Sequence, residues 1–240
     1  MTQHVQLNNV EHSSIKIRTE RTTELGDGIM LAPVFPHEFR NVQANYPIVF
    51  IKDAATAGFR PVCLFGFEEG QNLFLDENGW EASYIPLAIR MKPFLIGVTS
   101  DETGEKRMEV HIDLDHPRVS RHGGEPLFLD HGGYAPLLQE VTSVLEEVHT
   151  GEQSVGIFAA QLDELGLIEP FTLDVTLNDG SQGRLAGYYT IAEEKLYSLD
   201  AETLGKLQEQ GMLQPIYMAV ASVSQFHSLI DRRNRQIEKG

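Results

Sequence analysis

A single cysteine, a single tryptophan and only 19 basic residues in 240 set the first limits on this chain. One cysteine permits no internal disulfide, which removes the stapled small scaffolds. Cys63 lies in the apolar run PVCLFGF, where it reads as a buried, inert thiol rather than a nucleophile. Lys and Arg are outnumbered by 35 Asp and Glu, giving a net charge of −16. A chain this acidic is repelled by phosphate backbones and by anionic lipid surfaces, so no nucleic-acid partner is expected. No hydrophobic run approaches the ~20 residues that cross a bilayer. PIVFI and PIYMAVASV are core-sized, and no membrane span is expected. The opening MTQHVQLNNVEHSS has no apolar h-region, so a cytoplasmic location is the expectation.

The strong catalytic signatures are missing too. The chain has no GxxxxGK[ST] phosphate loop, no GxGxxG (Gly26 and Gly28 lack the third glycine), no GxSxG elbow, no HExxH and no CxxC. Those gaps remove the commonest nucleotide-dependent and serine-hydrolase chemistries. No cofactor is expected, and whether the protein is an enzyme stays open.

What is present is ordinary for a globular protein: 41% hydrophobic and 22% charged residues, in a length that supports one large core. The acid is uneven. Between His122 and Ile230 there are 16 acidic residues and three basic ones, Arg184, Lys195 and Lys206. This pattern reads either as a surface for a basic partner or cation, or as well-solvated helix faces. Aromatic residues concentrate elsewhere. Residues 46–94 hold the only Trp and Cys, four Pro and six Phe.

Periodicity predicts an α+β protein: an antiparallel β-hairpin-rich first half and a mixed α/β second half in a single compact unit. Residues 1–30 form a polar N-terminal segment with one alternating patch, Ile15-x-Ile17; residues 31–240 form the main domain, with an internal boundary near Glu125. Residues 46–52 read as a buried strand. Segments 61–67 and 72–75 flank Glu68-Glu69-Gly70-Gln71 as a hairpin, and 94–99 with 108–114 make another. Leu137, Leu138, Val141, Leu145 and Val148 share one face of a helix over 135–149. A second helix covers 157–165, with Gly166 closing it. Alternation on both sides of Asp179-Gly180 predicts a third hairpin. Helices at 193–198 and 201–210 follow, the latter capped by Asp200; 216–223 reads as a buried strand, and Ser224 caps a last helix.

Two constellations carry chemistry. His111-x-Asp113, with a later histidine such as His131, has the residue types of a two-His, one-carboxylate iron site, in which imidazoles and a carboxylate leave positions open for substrate and oxygen. The simpler account gives Asp and Pro of Asp115-His116-Pro117 a turn role, and the glycines after His122 and His131 positive φ. Trp80, presented by the Asn78-Gly79 turn, reads as one wall of a ligand or peptide groove with Asn72, Tyr84 and Arg90 as polar anchors. Its simpler account is a tryptophan that covers the core and finds one partner for its N–H.

YPIVF (46–50), GFEEGQNLFLDENGW (66–80), YIP (84–86) and the Pro93-Phe94 pair resemble, in order, the pattern of the SapC-like (surface-array protein C) family. IDLD (112–115), GEPLFLDHGG (124–133), FAAQLDELGLIEP (158–170), AGYYTIAEEKLYSL (186–199) and SVSQFHSLIDRR (222–233) extend the resemblance. The resemblance implies a soluble bacterial accessory protein akin to those encoded beside outer-membrane receptors and oxygenases; it supplies no catalytic residues. The expectation is therefore a binding protein that engages a peptide or protein partner through its aromatic region. A mononuclear iron oxygenase using His111, Asp113 and His131 is the alternative. A homo-oligomeric scaffold, joined through the helix after Ser224, is a third reading.

Overall fold

The computed structural model describes residues 4–53, 58–100 and 106–239. Short strands punctuate the polar start: β1 (His4–Gln6), β2 (Lys16–Ile17) and β3 (Leu31–Pro33). Pro36 opens a 3-10 turn (Pro36–Glu38), its fixed φ suiting the first helical position, and the turn runs into a one-turn helix, α1 (Phe39–Val42). Next come β4 (Ile48–Lys52), β5 (Phe59–Leu64), the small hairpin β6 (Leu75–Asp76) and β7 (Gly79–Trp80), and α2 (Leu87–Arg90). The hairpin β8 (Phe94–Ser100) and β9 (Lys106–Asp113) precedes two-residue strands β10 (Val119–Ser120) and β11 (Glu125–Pro126). The rest is one long helix, α3 (Pro136–Glu164), a hairpin of β12 (Ile168–Thr176) and β13 (Gln182–Ile191), and four helices: α4 (Glu193–Tyr197), α5 (Ala201–Glu209), α6 (Leu213–Ser222) and α7 (Gln225–Lys239).

These elements assemble α+β architecture around a five-stranded antiparallel sheet of order β12-β13-β4-β5-β3. Strands from both halves of the chain share it. Val49, Phe50, Val62, Cys63, Leu64 and Phe65 are fully buried there. Burial of each large apolar side chain contributes about 1.5–3 kcal/mol. Phe158 of α3 meets Phe39 edge-on at 5.9 Å, and Ile216 of α6 and Leu229 of α7 close the same core. A second sheet, β1-β9-β8, packs Phe94 and Ile112 against Leu138, Val141 and Leu145 in the first half of α3.

The polar N-terminal segment is stitched in by a buried ion pair. Arg118 and Asp27, each 2% exposed, are bonded through Nη2 and Oδ2, while Arg118 Nη1 donates to the carbonyls of Arg18 and Glu20 at 2.8 Å. A buried charge needs such full pairing, because desolvation otherwise outweighs it.

Four local expectations differ from what is found. Segment 72–75 does not return as the partner of 61–67; β5 pairs with β4 and β3, and the hairpin turn falls one step later, at Glu77-Asn78. The helices expected at 135–149 and 157–165 are one helix of 29 residues. Gly151 does not break it, because its role is contact: a Cβ there would lie 2.4 Å from Phe35 Cγ. The run 216–223 is helical, not a strand. Pro215 stands in the first turn of α6, and the buried residues Ile216, Ala219 and Ser222 recur every three positions rather than alternating. Ser224 turns backward: its Oγ donates to the Ala221 carbonyl. The Asp179-Gly180 hairpin and the Asp200 cap, whose Oδ1 accepts from Thr203 N–H at 2.7 Å, are found as expected.

Candidate functional site

The β6–β7 hairpin turns at Gly79, where φ is +109°, and delivers Trp80 against the main core. Its indole N–H donates to Tyr46 Oη at 2.7 Å, and its ring meets Phe65 edge-on at 5.1 Å. Tyr46 Oη in turn donates to the Tyr84 carbonyl at 2.5 Å. Tyr84 Oη donates at 2.9 Å to Glu38 Oε2, a buried carboxylate that also accepts the backbone N–H groups of Phe35 and Leu87 at 3.1 Å. Burial raises the Glu38 carboxyl, opposed by those three donors. Burial, with the Glu38 charge beside it, also raises the Tyr84 phenol. Trp80, Tyr46, Tyr84 and Glu38 thus form one internal hydrogen-bonded chain.

Asn72 and Arg90 stand apart from that chain. Asn72 Nδ2 donates to the Asp27 carbonyl at 2.9 Å and its Oδ1 accepts from Phe74 N–H at 3.0 Å, closing a local turn. Arg90 Nη2 donates to Glu140 Oε1 on α3 at 3.0 Å. The polar groups of all four residues are therefore engaged in hydrogen bonds within the molecule.

His111 and Asp113 lie on β9, two residues apart. His111 lays its ring over Gly97, where a Cβ would fall 2.1 Å from His111 Nε2, and that nitrogen is buried without a hydrogen-bond partner. Asp113 faces His4, with 4.0 Å between Oδ2 and Nε2. His131 is exposed on the loop joined by the Phe128–Tyr134 bridge. The structure does not gather these three: among the described residues no group of three His, Cys, Asp or Glu is placed to hold a metal ion. In the two HGG triplets, Gly124 and Gly132 have φ of +105° and +83°. Cys63 is fully buried, which pushes its thiol pKa up and leaves little thiolate.

One open apolar surface was not singled out in the sequence. A groove of about 510 Å³ runs between α3, the Pro36–Glu38 turn and the α5–α6 connection, floored by Pro36, Phe158, Met212 and Pro215. Ile157 stands on its wall, 66% exposed, off the buried stripe of α3. Farther along α6, Tyr217 is exposed and lies near the barer Tyr197. One acid stands beside the groove lining. Glu147 is near His37, whose pKa is lowered by burial and raised back in part by that charge. Glu193 accepts from Tyr197 Oη at 3.1 Å. The one sequence signal for this surface is an isoleucine out of phase with its helix.

No described helix is long and apolar enough to cross a membrane. The SapC family model matches residues 7–229. Among curated proteins and among solved structures, no match is found.

Proposed function

The chain belongs to the SapC family, and we propose that it is a binding protein that docks a basic, amphipathic segment of a partner protein in the groove between α3 and the α5–α6 connection. The observation that carries the reading is Ile157, a large apolar side chain left 66% exposed beside the groove floor. An apolar trough is the receptor half of helix-in-groove recognition, in which a few apolar anchors of the incoming helix fill the floor. Charge gives the occupant its sign. Most of the groove lining, from Ser154 to Pro215, lies in the stretch with 16 acidic and three basic residues, so a basic segment is steered in and an acidic one turned away. Tyr197 and Tyr217 add aromatic faces that attract cations.

The internal engagement of Asn72, Trp80, Tyr84 and Arg90 favours this surface over the Trp80 region. Strand addition at the sheet edge is disfavoured, because β12 carries Pro170, a bulge between Phe171 and Leu173, and the acids Glu169 and Asp174, all devices that blunt an edge. A cytosolic setting is part of the proposal; there the lone thiol of Cys63 stays reduced.

Fluorescence anisotropy of a labelled basic amphipathic helical peptide tests it. Ile157→Ala is expected to weaken binding several-fold and Arg90→Ala to leave it unchanged. The reverse order would return the site to the Trp80 region.

A further inference from the structure

We propose that the cleft between the loop 8–15 and the segment 114–121 is a ligand site for a small apolar α-amino acid, held as its zwitterion. The cleft measures about 410 Å³, within the ~300–1,000 Å³ usual for small-molecule sites, and Ile15, Leu114 and Val119 give it an apolar wall. His12 brings a donor to it. This residue is 5% exposed, and its Nδ1 accepts the Asn8 N–H at 3.1 Å, so the ring proton sits on Nε2. Nε2 meets no acceptor among the described residues, yet it is not sealed from solvent, and His12 lines the cleft. A donor this deep costs about 1–3 kcal/mol when it goes unserved. The loop that carries it is pinned in the free protein: His12 N–H donates to the Asn8 carbonyl at 3.2 Å, and Asn9 Nδ2 donates to the Gly132 carbonyl at 3.0 Å.

The rim carries charge of both signs. β10 pairs with β2 so that Val119 lies opposite Ile17 and Ser120 opposite Lys16; one step farther, Arg121 comes opposite Ile15, on the face of Val119. Ser120 falls on the other face, where its Oγ accepts from the N–H groups of His122 and Gly123. The Arg121 guanidinium has no hydrogen bond or ion pair among the described residues. Asp115, in the turn after β9, is exposed and its carboxylate is equally free, while Glu11 accepts only from Asn8 Nδ2, at 3.3 Å. A simple anion would meet Glu11 and Asp115 there, and a simple cation would meet Arg121. A zwitterion answers both signs. Its carboxylate takes the Arg121 fork and the His12 Nε2–H, its ammonium takes Asp115 and Glu11, and its aliphatic side chain covers the apolar wall.

Methyl and imidazole NMR of the full chain, titrated with leucine, isocaproate, isopentylamine and glycine, tests the site. Leucine is expected to shift the methyls of Ile15, Leu114 and Val119 together with the ring nitrogens of His12. The three analogues, which lack the ammonium, the carboxylate and the side chain in turn, should each bind at least about tenfold more weakly. Arg121→Gln and Asp115→Asn, both at exposed positions, should each weaken leucine severalfold, with near-UV circular dichroism unchanged. No shifts at these residues, equal binding of leucine and either singly charged analogue, or unaltered leucine affinity in both folded variants would overturn the proposal. None of these outcomes bears on the peptide groove, which the Ile157 variant tests separately.

Discussion

Trp80 Nε1 donates to Tyr46 Oη, and that same hydroxyl donates to the carbonyl of Tyr84, so one fully buried phenol ties together Trp80 and Tyr84, both more than 30 residues farther along the chain. Tyr46→Phe removes both bonds and leaves a donor and an acceptor unpaired in the core. The expected loss is about 1–3 kcal/mol of unfolding free energy. Urea unfolding followed by Trp80 fluorescence measures it directly. A variant as stable as wild type would mean the hydroxyl is dispensable.

Two glycines of α3 should respond to alanine with opposite signs. At Gly151 a Cβ meets Phe35 ring carbons at 2.4 and 2.7 Å, so overpacking should cost about 1–3 kcal/mol. At Gly156 nothing lies within 4 Å, and Gly156→Ala should gain about 0.5–1 kcal/mol from helix propensity alone. Thermal or urea unfolding of the pair checks the close approach. Stabilisation by both substitutions would contradict it.

Glu38 gives the fold a pH dependence of definite sign. Burial lifts its carboxyl above the ordinary 4.5, against the pull of the Leu87, Tyr84 and Phe35 donors. A carboxyl raised in the folded state contributes fully below its unfolded pKa, and the contribution is lost as pH climbs through the folded value. The stability of wild type relative to Glu38→Gln is therefore expected to decline from about pH 4.5 upward. Unfolding free energies of both proteins at stepped pH give the difference. A gap that stays level or widens with pH would contradict burial as the controlling cause.

Local pattern made much of the fold legible. Alternation around Asp179-Gly180, the pairing of β8 with β9, and the Asp200 cap are each legible from short stretches of sequence. Tertiary context decided the rest. Gly151 looks like a helix end until Phe35 is packed against it, and the apolar run 216–223 reads as a buried strand until the core picks out Ile216, Ala219 and Ser222. The same distance effect hid the roles of Trp80 and Tyr84. Their partners Tyr46 and Glu38 lie 34 and 46 residues away, so side chains that looked available are bonded internally. The α3 groove could not be seen beforehand, since it is assembled from three segments far apart in the chain.

The most direct test of peptide docking is the affinity of a labelled basic amphipathic helix for wild type and Ile157→Glu at ~0.15 M salt, where surface charge is substantially screened. The substitution adds negative charge while spoiling the apolar wall, so the two causes of binding pull in opposite directions. Docking in the groove predicts affinity weaker by about tenfold, or ~1.4 kcal/mol. Unchanged or tighter binding would mean that the peptide merely adsorbs to an acidic surface, and would contradict the account.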